Sequence, residues 1–398
     1  MIIAKVPLME MRRAGKSGLT LSRLGLGTMT WGRDTDTHEA ADQCRAFIEA
    51  GGNFFDTSPT YGDGDSERVI GGLIGTLFKR EDVAIATKAG VTFPDGSRMV
   101  NNSRQSLIAD LDKSLARLET EYVDIWQIHL WDSNTPLEDS LSALDYAYSS
   151  GKARYVGLSN FSGWQSARAI TIQETNSAKA PIVTHQVEYS LLNREIELEV
   201  LPCADETGIG ILAWAPLGRG VLTGKYRKGI PSDSRAAAPH FVKHVEPYLR
   251  EKPQRIVEAV AVAAEGLGFS PLEVALAWVR DAPGVTSALI GARTGAPARR
   301  LPGRRHAGAR RLRLCRRHGA ARLCRGNARH LRGCERALRC RGADERPHRD
   351  GRGGAQAAGG QALSRRLYGS PRTTRSQRRR RSAAWPELGL ARRMRGDR

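Results

Sequence analysis

Eight short apolar runs, at 24–29, 53–56, 82–88, 122–130, 154–158, 182–187, 209–214 and 285–290, recur through the first 290 residues with helix-like stretches between them. Strand-like and helix-like segments alternating over short connections are the pattern of parallel βα units. Eight strands in fewer than 300 residues predict an α/β fold closed as a (β/α)8 TIM barrel rather than an open doubly wound sheet. Ahead of the first run, residues 11–22 read as a β-hairpin turning between Gly15 and Gly18, and residues 1–9 as an unstructured extension.

The helices carry local signals of their own. Thr135-Pro136-Leu137-Glu138 and Ser270-Pro271-Leu272-Glu273 each offer a capping hydroxyl, a proline at the first helical position and a glutamate able to reach back. Leu107, Leu111, Leu115 and Leu118 form one apolar stripe, so 103–118 should pack a face on the barrel. Two connections exceed what a barrel needs, 89–102 and 215–253, and long loops at a catalytic face are lids or binding loops.

The net charge of +20 invites a nucleic-acid reading until it is located along the chain. Residues 295–398 hold 31 Arg, no Lys and six acids, 31 − 6 = +25, so residues 1–294 carry 20 − 25 = −5. The predicted barrel is mildly acidic and all the basicity lies in the tail. That tail has no Ile, Val or Phe, cannot bury enough apolar surface to offset the entropy of ordering, and reads as disordered. Its four cysteines, Cys315, Cys324, Cys334 and Cys340, contain no Cys-x-x-Cys spacing, which supports neither a zinc site nor a disulfide framework. An arginine-rich arm binding phosphates is the competing reading. Such arms mix Lys with Arg and interleave aromatics or repeats, whereas here Tyr368 and Trp385 are the only aromatics, so no specific nucleic-acid partner is expected. No stretch resembles a signal peptide or approaches the roughly 18 apolar residues of a membrane helix, so a cytoplasmic protein without a membrane partner is expected.

Three of the runs end abruptly in polar, chemistry-bearing residues. Asn53-Phe54-Phe55-Asp56 leads into Thr57-Ser58-Pro59-Thr60-Tyr61-Gly62, the third run ends at Lys88, and the fourth ends at His129. In a barrel the C-terminal ends of strands two, three and four share one mouth. A buried Lys88 ammonium needs a carboxylate, and Asp56 is the available partner. A phenol beside that ammonium should have a lowered pKa, which would make Tyr61 a ready proton donor, while His129 could orient a carbonyl. Taken singly each residue has a plain structural explanation; the convergence of four is what points to chemistry.

Together with Gly25-Leu26-Gly27-Thr28-Met29, Gln127-Ile128-His129, Gly157-Leu158-Ser159-Asn160-Phe161, Gln186-Val187-Glu188-Tyr189-Ser190, Trp214-Ala215-Pro216-Leu217-Gly218-Arg219-Gly220 and Ile290-Gly291-Ala292-Arg293-Thr294, these segments resemble the aldo-keto reductases. The likeness is to the branch related to bacterial aryl-alcohol dehydrogenases and potassium-channel β subunits, and it spans about residues 10–294. It implies a catalytic tetrad of Asp56, Tyr61, Lys88 and His129, with no metal, and an NADPH lying across the mouth without a Rossmann fingerprint. By the same likeness Ser159, Asn160 and Gln186 would hold the carboxamide, and Trp214 would stack on the nicotinamide. Ala215, Pro216 and the loop from Leu217 through Gly218 and Gly220 to Lys225 would surround the pyrophosphate; Gly27, Thr28, Met29 and Gly291 would also line the cofactor. Arg293 would face the 2′-phosphate, and Trp31, Tyr61 and His129 would form the substrate pocket. The implied reaction is reduction of an aldehyde or ketone to an alcohol, with Tyr61 protonating the oxygen. The alternatives are a redox-sensing binding subunit with slow turnover and an inactive reductase.

The resemblance stops after Thr294. The family's glutamine and asparagine, four and eight positions beyond the arginine, are here Pro297 and Leu301. Helix pattern, lysines, β-branched residues and charge balance all change together, which suggests that 295–398 is an out-of-frame translation of a GC-rich sequence and that the barrel's eighth helix is lost. Reading the gene in its other frames tests this: a helix with Gln-Leu…Asn must reappear.

Overall fold

A computed structural model describes residues 9–292 apart from Asn176 and Ala178. The expected tail, 295–398, lies outside the described residues, as do Arg293 and the extension before Met9. In chain order the strands and helices are β1 (Met11–Arg13), β2 (Thr20–Ser22), β3 (Leu24–Gly27), α1 (Thr37–Glu49), β4 (Phe54–Asp56), α2 (Asp65–Leu73), β5 (Ala84–Ala89), β6 (Val91–Thr92), β7 (Met99–Val100), α3 (Arg104–Arg117), β8 (Val123–Ile128), α4 (Leu137–Ser149), β9 (Ala153–Ser159), α5 (Gly163–Glu174), β10 (Ile182–Glu188), α6 (Val200–Thr207), β11 (Gly210–Trp214), α7 (Pro239–Val245), α8 (Glu251–Leu267), α9 (Pro271–Arg280) and β12 (Val285–Ile290).

Strands β3, β4, β5, β8, β9, β10, β11 and β12 close into a parallel barrel, each paired with its sequence neighbour and β12 with β3. The strands correspond to the eight apolar runs of the sequence. Their alternation sorts side chains into two cores. Phe54, Ala84, Ala86, Ile125, Leu212 and Leu289 fill the barrel, whereas Phe55, Ile85, Trp126 and Ile211 face the helices. Gly25 leaves the space that Phe54 and Leu289 occupy, since a Cβ there would lie 2.7 Å from each. The β1–β2 hairpin plugs the N-terminal end with Ala14 and Leu21. Outside, Phe55 meets Phe47 edge-on at 5.5 Å and stacks on Phe78 at 5.4 Å.

The same parity aims the chemistry. Asp56 follows Phe54 by two, Lys88 follows Ala86 by two and Trp214 follows Leu212 by two, so all three point into the mouth.

Two local expectations change. The capping box at Ser270 forms, with Glu273 returning to the Ser270 backbone. At Thr135 it does not: Pro136, at ψ 133°, stays outside the helix, and the Thr135 hydroxyl donates instead to Asp132 Oδ2 at 2.7 Å. The long connections are also more ordered than loops. Residues 89–102 contain the β6–β7 hairpin, and the second connection contains α7. There Val221, Leu222, Tyr226, Ala236 and Val245 build a small core against α8 and α9.

Candidate active site

Lys88 is 1 % exposed, and its Nζ donates to Asp56 Oδ1 at 3.0 Å, Asp56 Oδ2 at 2.9 Å and the Thr57 carbonyl at 2.8 Å. Three protons meet three acceptors, which is how a buried ammonium remains charged. Burial pushes the Lys88 pKa down, but the Asp56 carboxylate and the Tyr61 phenol outweigh it and carry the pKa above the usual lysine value. Asp56 Oδ1 also accepts from Gln186 Nε2 at 2.6 Å, so a strand on the far side of the barrel braces the same carboxylate.

Tyr61 follows β4 in a tight turn, its N–H donating to the Ser58 carbonyl at 3.0 Å. Its ring centroid lies 5.2 Å from Lys88 Nζ. The expected lowering of its pKa is reversed. Burial raises it, Lys88 pulls it down, Asp56 raises it again, and the net direction is upward. The phenol therefore holds its proton at neutral pH.

His129 continues the inward parity of Ile125 and Gln127, and its N–H donates to the Ala89 carbonyl at 3.0 Å. Burial, then the positive charges of Lys88 and Arg98, push its pKa down to about 3. Its imidazole is neutral under physiological conditions, and Nδ1 is buried without a hydrogen-bond partner.

Asn160 sits in the left-handed region at φ 56°, which an Asn side chain tolerates. Its Nδ2 donates to the His129 carbonyl at 3.1 Å and to Ser159 Oγ at 3.0 Å, and its Oδ1 accepts from Trp214 Nε1 at 3.0 Å. One amide thus ties together the ends of three strands. Trp214 is half-buried, with the Arg219 guanidinium 5.1 Å from its ring. Ala215, Gly218, Arg219 and Gly220 all have positive φ, so the chain folds tightly before reaching Lys225. Pro216 and Gly218 are buried and Leu217 half-buried. On the other side of the mouth Thr28 is buried, Met29 half-buried, and Gly27 and Gly291 approach closely, a Cβ on Gly291 falling 2.9 Å from the Gly27 carbonyl.

Of the expected pocket residues, Trp31 must be corrected. It is 0 % exposed, with Nε1 donating to Gln43 Oε1 at 3.1 Å, so its ring belongs to the core beneath the first loop and offers no surface to a substrate. Arg293 lies outside the described residues. Sequence reasoning missed several groups here: Thr57, whose carbonyl holds Lys88; Arg98, whose charge reaches His129; and Glu188, which accepts from Tyr248 Oη at 2.8 Å and so links the second long connection to β10. A backbone carbonyl leaves no sequence signal, whereas Glu188, the one acidic residue of its strand and placed at its end, did offer one.

The model of the aldo/keto reductase family matches residues 23–300. The chain belongs to the aldo/keto reductase family. It is 36 % identical over 290 residues to a protein of Oryza sativa subsp. japonica named as a probable voltage-gated potassium channel subunit beta, covering 71 % of this chain and 87 % of the relative. It is 33 % identical to the aldo-keto reductase YhdN of Bacillus subtilis, covering 72 % and 85 %, and 37 % identical to the L-glyceraldehyde 3-phosphate reductase of Escherichia coli, covering 71 % and 84 %. Membership makes oxidoreductase chemistry on small carbonyl compounds, with a nicotinamide cofactor, the general activity of the fold in this family. Among the described residues of this aldo/keto reductase no group of His, Cys, Asp and Glu is arranged to hold a metal ion, and no single helix is long and apolar enough to cross a membrane.

Proposed function

We propose that the chain is a cytoplasmic, NADPH-dependent reductase of aldehydes and ketones, with Tyr61 as proton donor. The observation that carries this reading is the buried Asp56–Lys88 pair under a phenol that remains protonated. Tyr61 gives its proton to the carbonyl oxygen as negative charge develops there, and Lys88, fixed by Asp56, stabilises the phenolate left behind. Neutral His129 orients the carbonyl by a hydrogen bond without competing as an acid, because its imidazolium forms only near pH 3. The cofactor, when bound, supplies the hydride.

The residues at the mouth suit such a cofactor. The half-buried Trp214 ring offers a stacking surface, and Lys225, which forms no ion pair among the described residues, brings a cation to the tight 215–220 turn. Ser159, Asn160 and Gln186 cluster where a carboxamide would need donors and acceptors, although Asn160 and Gln186 would have to share or exchange their present bonds.

The test is aldehyde-dependent NADPH oxidation by the full chain, beside NADPH titration followed by tryptophan fluorescence. Saturable binding, with turnover reduced at least ~100-fold in Tyr61→Phe, is expected. Equal turnover in both proteins would sink the assignment. The name of the Oryza relative motivates a second reading, a redox-sensing subunit, which tight NADPH retention with negligible turnover would favour.

A further inference from the structure

Between Tyr61 and α2 the chain makes three consecutive left-handed steps: Gly62 at φ 57°, Asp63 at φ 52° and Gly64 at φ 90°. The two glycines take this conformation freely; Asp63, which has a Cβ, does not. Strain of this kind survives where both ends of a segment are pinned. One end is Tyr61. The other is the first turn of α2, where Ser66 and Glu67 are both fully buried.

Ser66 Oγ donates to the Thr28 carbonyl at 3.0 Å and lies 2.7 Å from Thr28 Oγ1 and 2.9 Å from Thr57 Oγ1. Thr28 Oγ1 donates in turn to the Asp56 carbonyl at 3.0 Å, and the Thr57 carbonyl accepts from Lys88 Nζ. Glu67 Oε1 accepts from Thr87 Oγ1 at 2.5 Å, and its Oε2 accepts from Arg117 Nε at 2.6 Å. Thr28, Thr57 and Thr87 belong to three adjacent strand ends. Each one either bonds to Asp56 or Lys88 or precedes Lys88 in the chain.

A helix can dock by apolar contact alone, and α2 already does so through Ile70 and Leu73. Burying a carboxylate and a hydroxyl in its first turn adds a desolvation cost that docking does not require. We propose that Ser66 and Glu67 are positioning residues: acting through Thr57 and Thr87, the first turn of α2 fixes the Lys88 ammonium relative to the Tyr61 phenol. This rests on the reading of Tyr61 and Lys88 as the proton-transfer pair. It predicts that loosening either hydrogen bond slows the chemical step more than it weakens binding.

The experiment compares full-length wild type with Ser66→Ala, Thr87→Val and Thr87→Ser. Ser66→Ala removes one oxygen, and Thr87→Val is nearly isosteric, so if one variant fails to fold the other still carries the test. In the first and second variants kcat should fall about tenfold or more, while KM for aldehyde and for NADPH stays within about threefold. Thr87→Ser, which keeps the hydroxyl, should recover most of the loss. A second readout needs no turnover: phenolate absorbance, with Tyr61→Phe subtracted, gives the Tyr61 midpoint, which should move up when Lys88 is less well placed. Lower thermal stability with unchanged kcat and unchanged midpoint overturns the proposal. If wild type reduces no aldehyde, the functional reading fails, and the Tyr61 midpoint alone decides the positioning claim.

Discussion

Acid should unfold this barrel earlier than its carboxylates alone would dictate. His185, on β10, is fully buried; its Nε2 accepts from the Phe161 N–H at 3.2 Å and its Nδ1 lies 3.4 Å from Ser166 Oγ. Burial pushes its pKa from 6.5 down to about 3, and His129 is pushed down to about 3 as well. A histidine whose folded pKa is depressed binds its proton more readily in the unfolded chain, so stability is full above pH 6.5 and falls as the pH drops toward 3. From pH 7 to pH 5 each residue costs about 2 kcal/mol, or about 4 kcal/mol for the pair. That is a large share of the ~5–15 kcal/mol that holds a typical domain folded. Exposed His244 is lowered in the same direction and adds to the slope. The depressed carboxylates, Asp281 among them, lose their contribution only as pH falls below about 4, so the loss from 6.5 to 5 comes from the histidines, opposed by Glu188 and Asp110, whose carboxyl pKa burial raises. Urea denaturation at half-unit pH steps should show this slope, and His185→Gln should roughly halve it. An unfolding free energy that is flat from pH 7 to pH 5 would refute the reasoning, as would a His185 ring proton resonance titrating with a midpoint above pH 5.

Two further outcomes follow from particular contacts. Lys88→Met leaves the Asp56 carboxylate buried with only Gln186 against it and should cost about 3–5 kcal/mol in urea denaturation, most of it recovered by adding Asp56→Asn. Ser270→Ala, which breaks a formed capping box, should cost about 1 kcal/mol, whereas Thr135→Ala should lose only the bond to Asp132, about half as much; equal losses would mean that the Thr135 hydroxyl does cap α4.

How much of this was legible in the sequence depended on the range of the interaction. Strands were readable because alternation is local and covalently fixed: once Phe54 faces inward, Asp56 must follow it. Turn chemistry was less so. Thr135-Pro136-Leu137-Glu138 carries the same signature as Ser270-Pro271-Leu272-Glu273, but Asp132, also held by the Asn102 N–H at 3.1 Å, claims the Thr135 hydroxyl. That competitor lies three residues upstream of Thr135, just outside the four-residue pattern, and a tertiary contact from Asn102 holds it there. Trp31 failed for a similar reason. The family likeness placed it in the pocket wall, but the partner that draws it inward, Gln43, lies on α1. Helix α7 spans only seven residues, about two turns, too few for a periodicity to stand out from its flanks.

Asp56, Lys88 and Tyr61, read together from the sequence, do lie together in the fold, whereas their electrostatics differ from the sequence reading. A charge beside a phenol is easy to recognise in a sequence, and Lys88 does pull Tyr61 in the expected direction; what the sequence could not weigh was burial, which pulls harder. The three influences can be separated by substitution. Lys88→Met leaves burial and Asp56 acting together, so the Tyr61 midpoint should rise further. Asp56→Asn removes the charged neighbour that raises it, so the midpoint should fall, provided the lysine stays charged. Burial alone would move both variants alike, and electrostatic neighbours alone would place wild-type Tyr61 below the ordinary tyrosine value. Opposite shifts in the two variants around a raised wild-type midpoint require both effects, and that combination keeps Tyr61 protonated, as the proposed donor role requires.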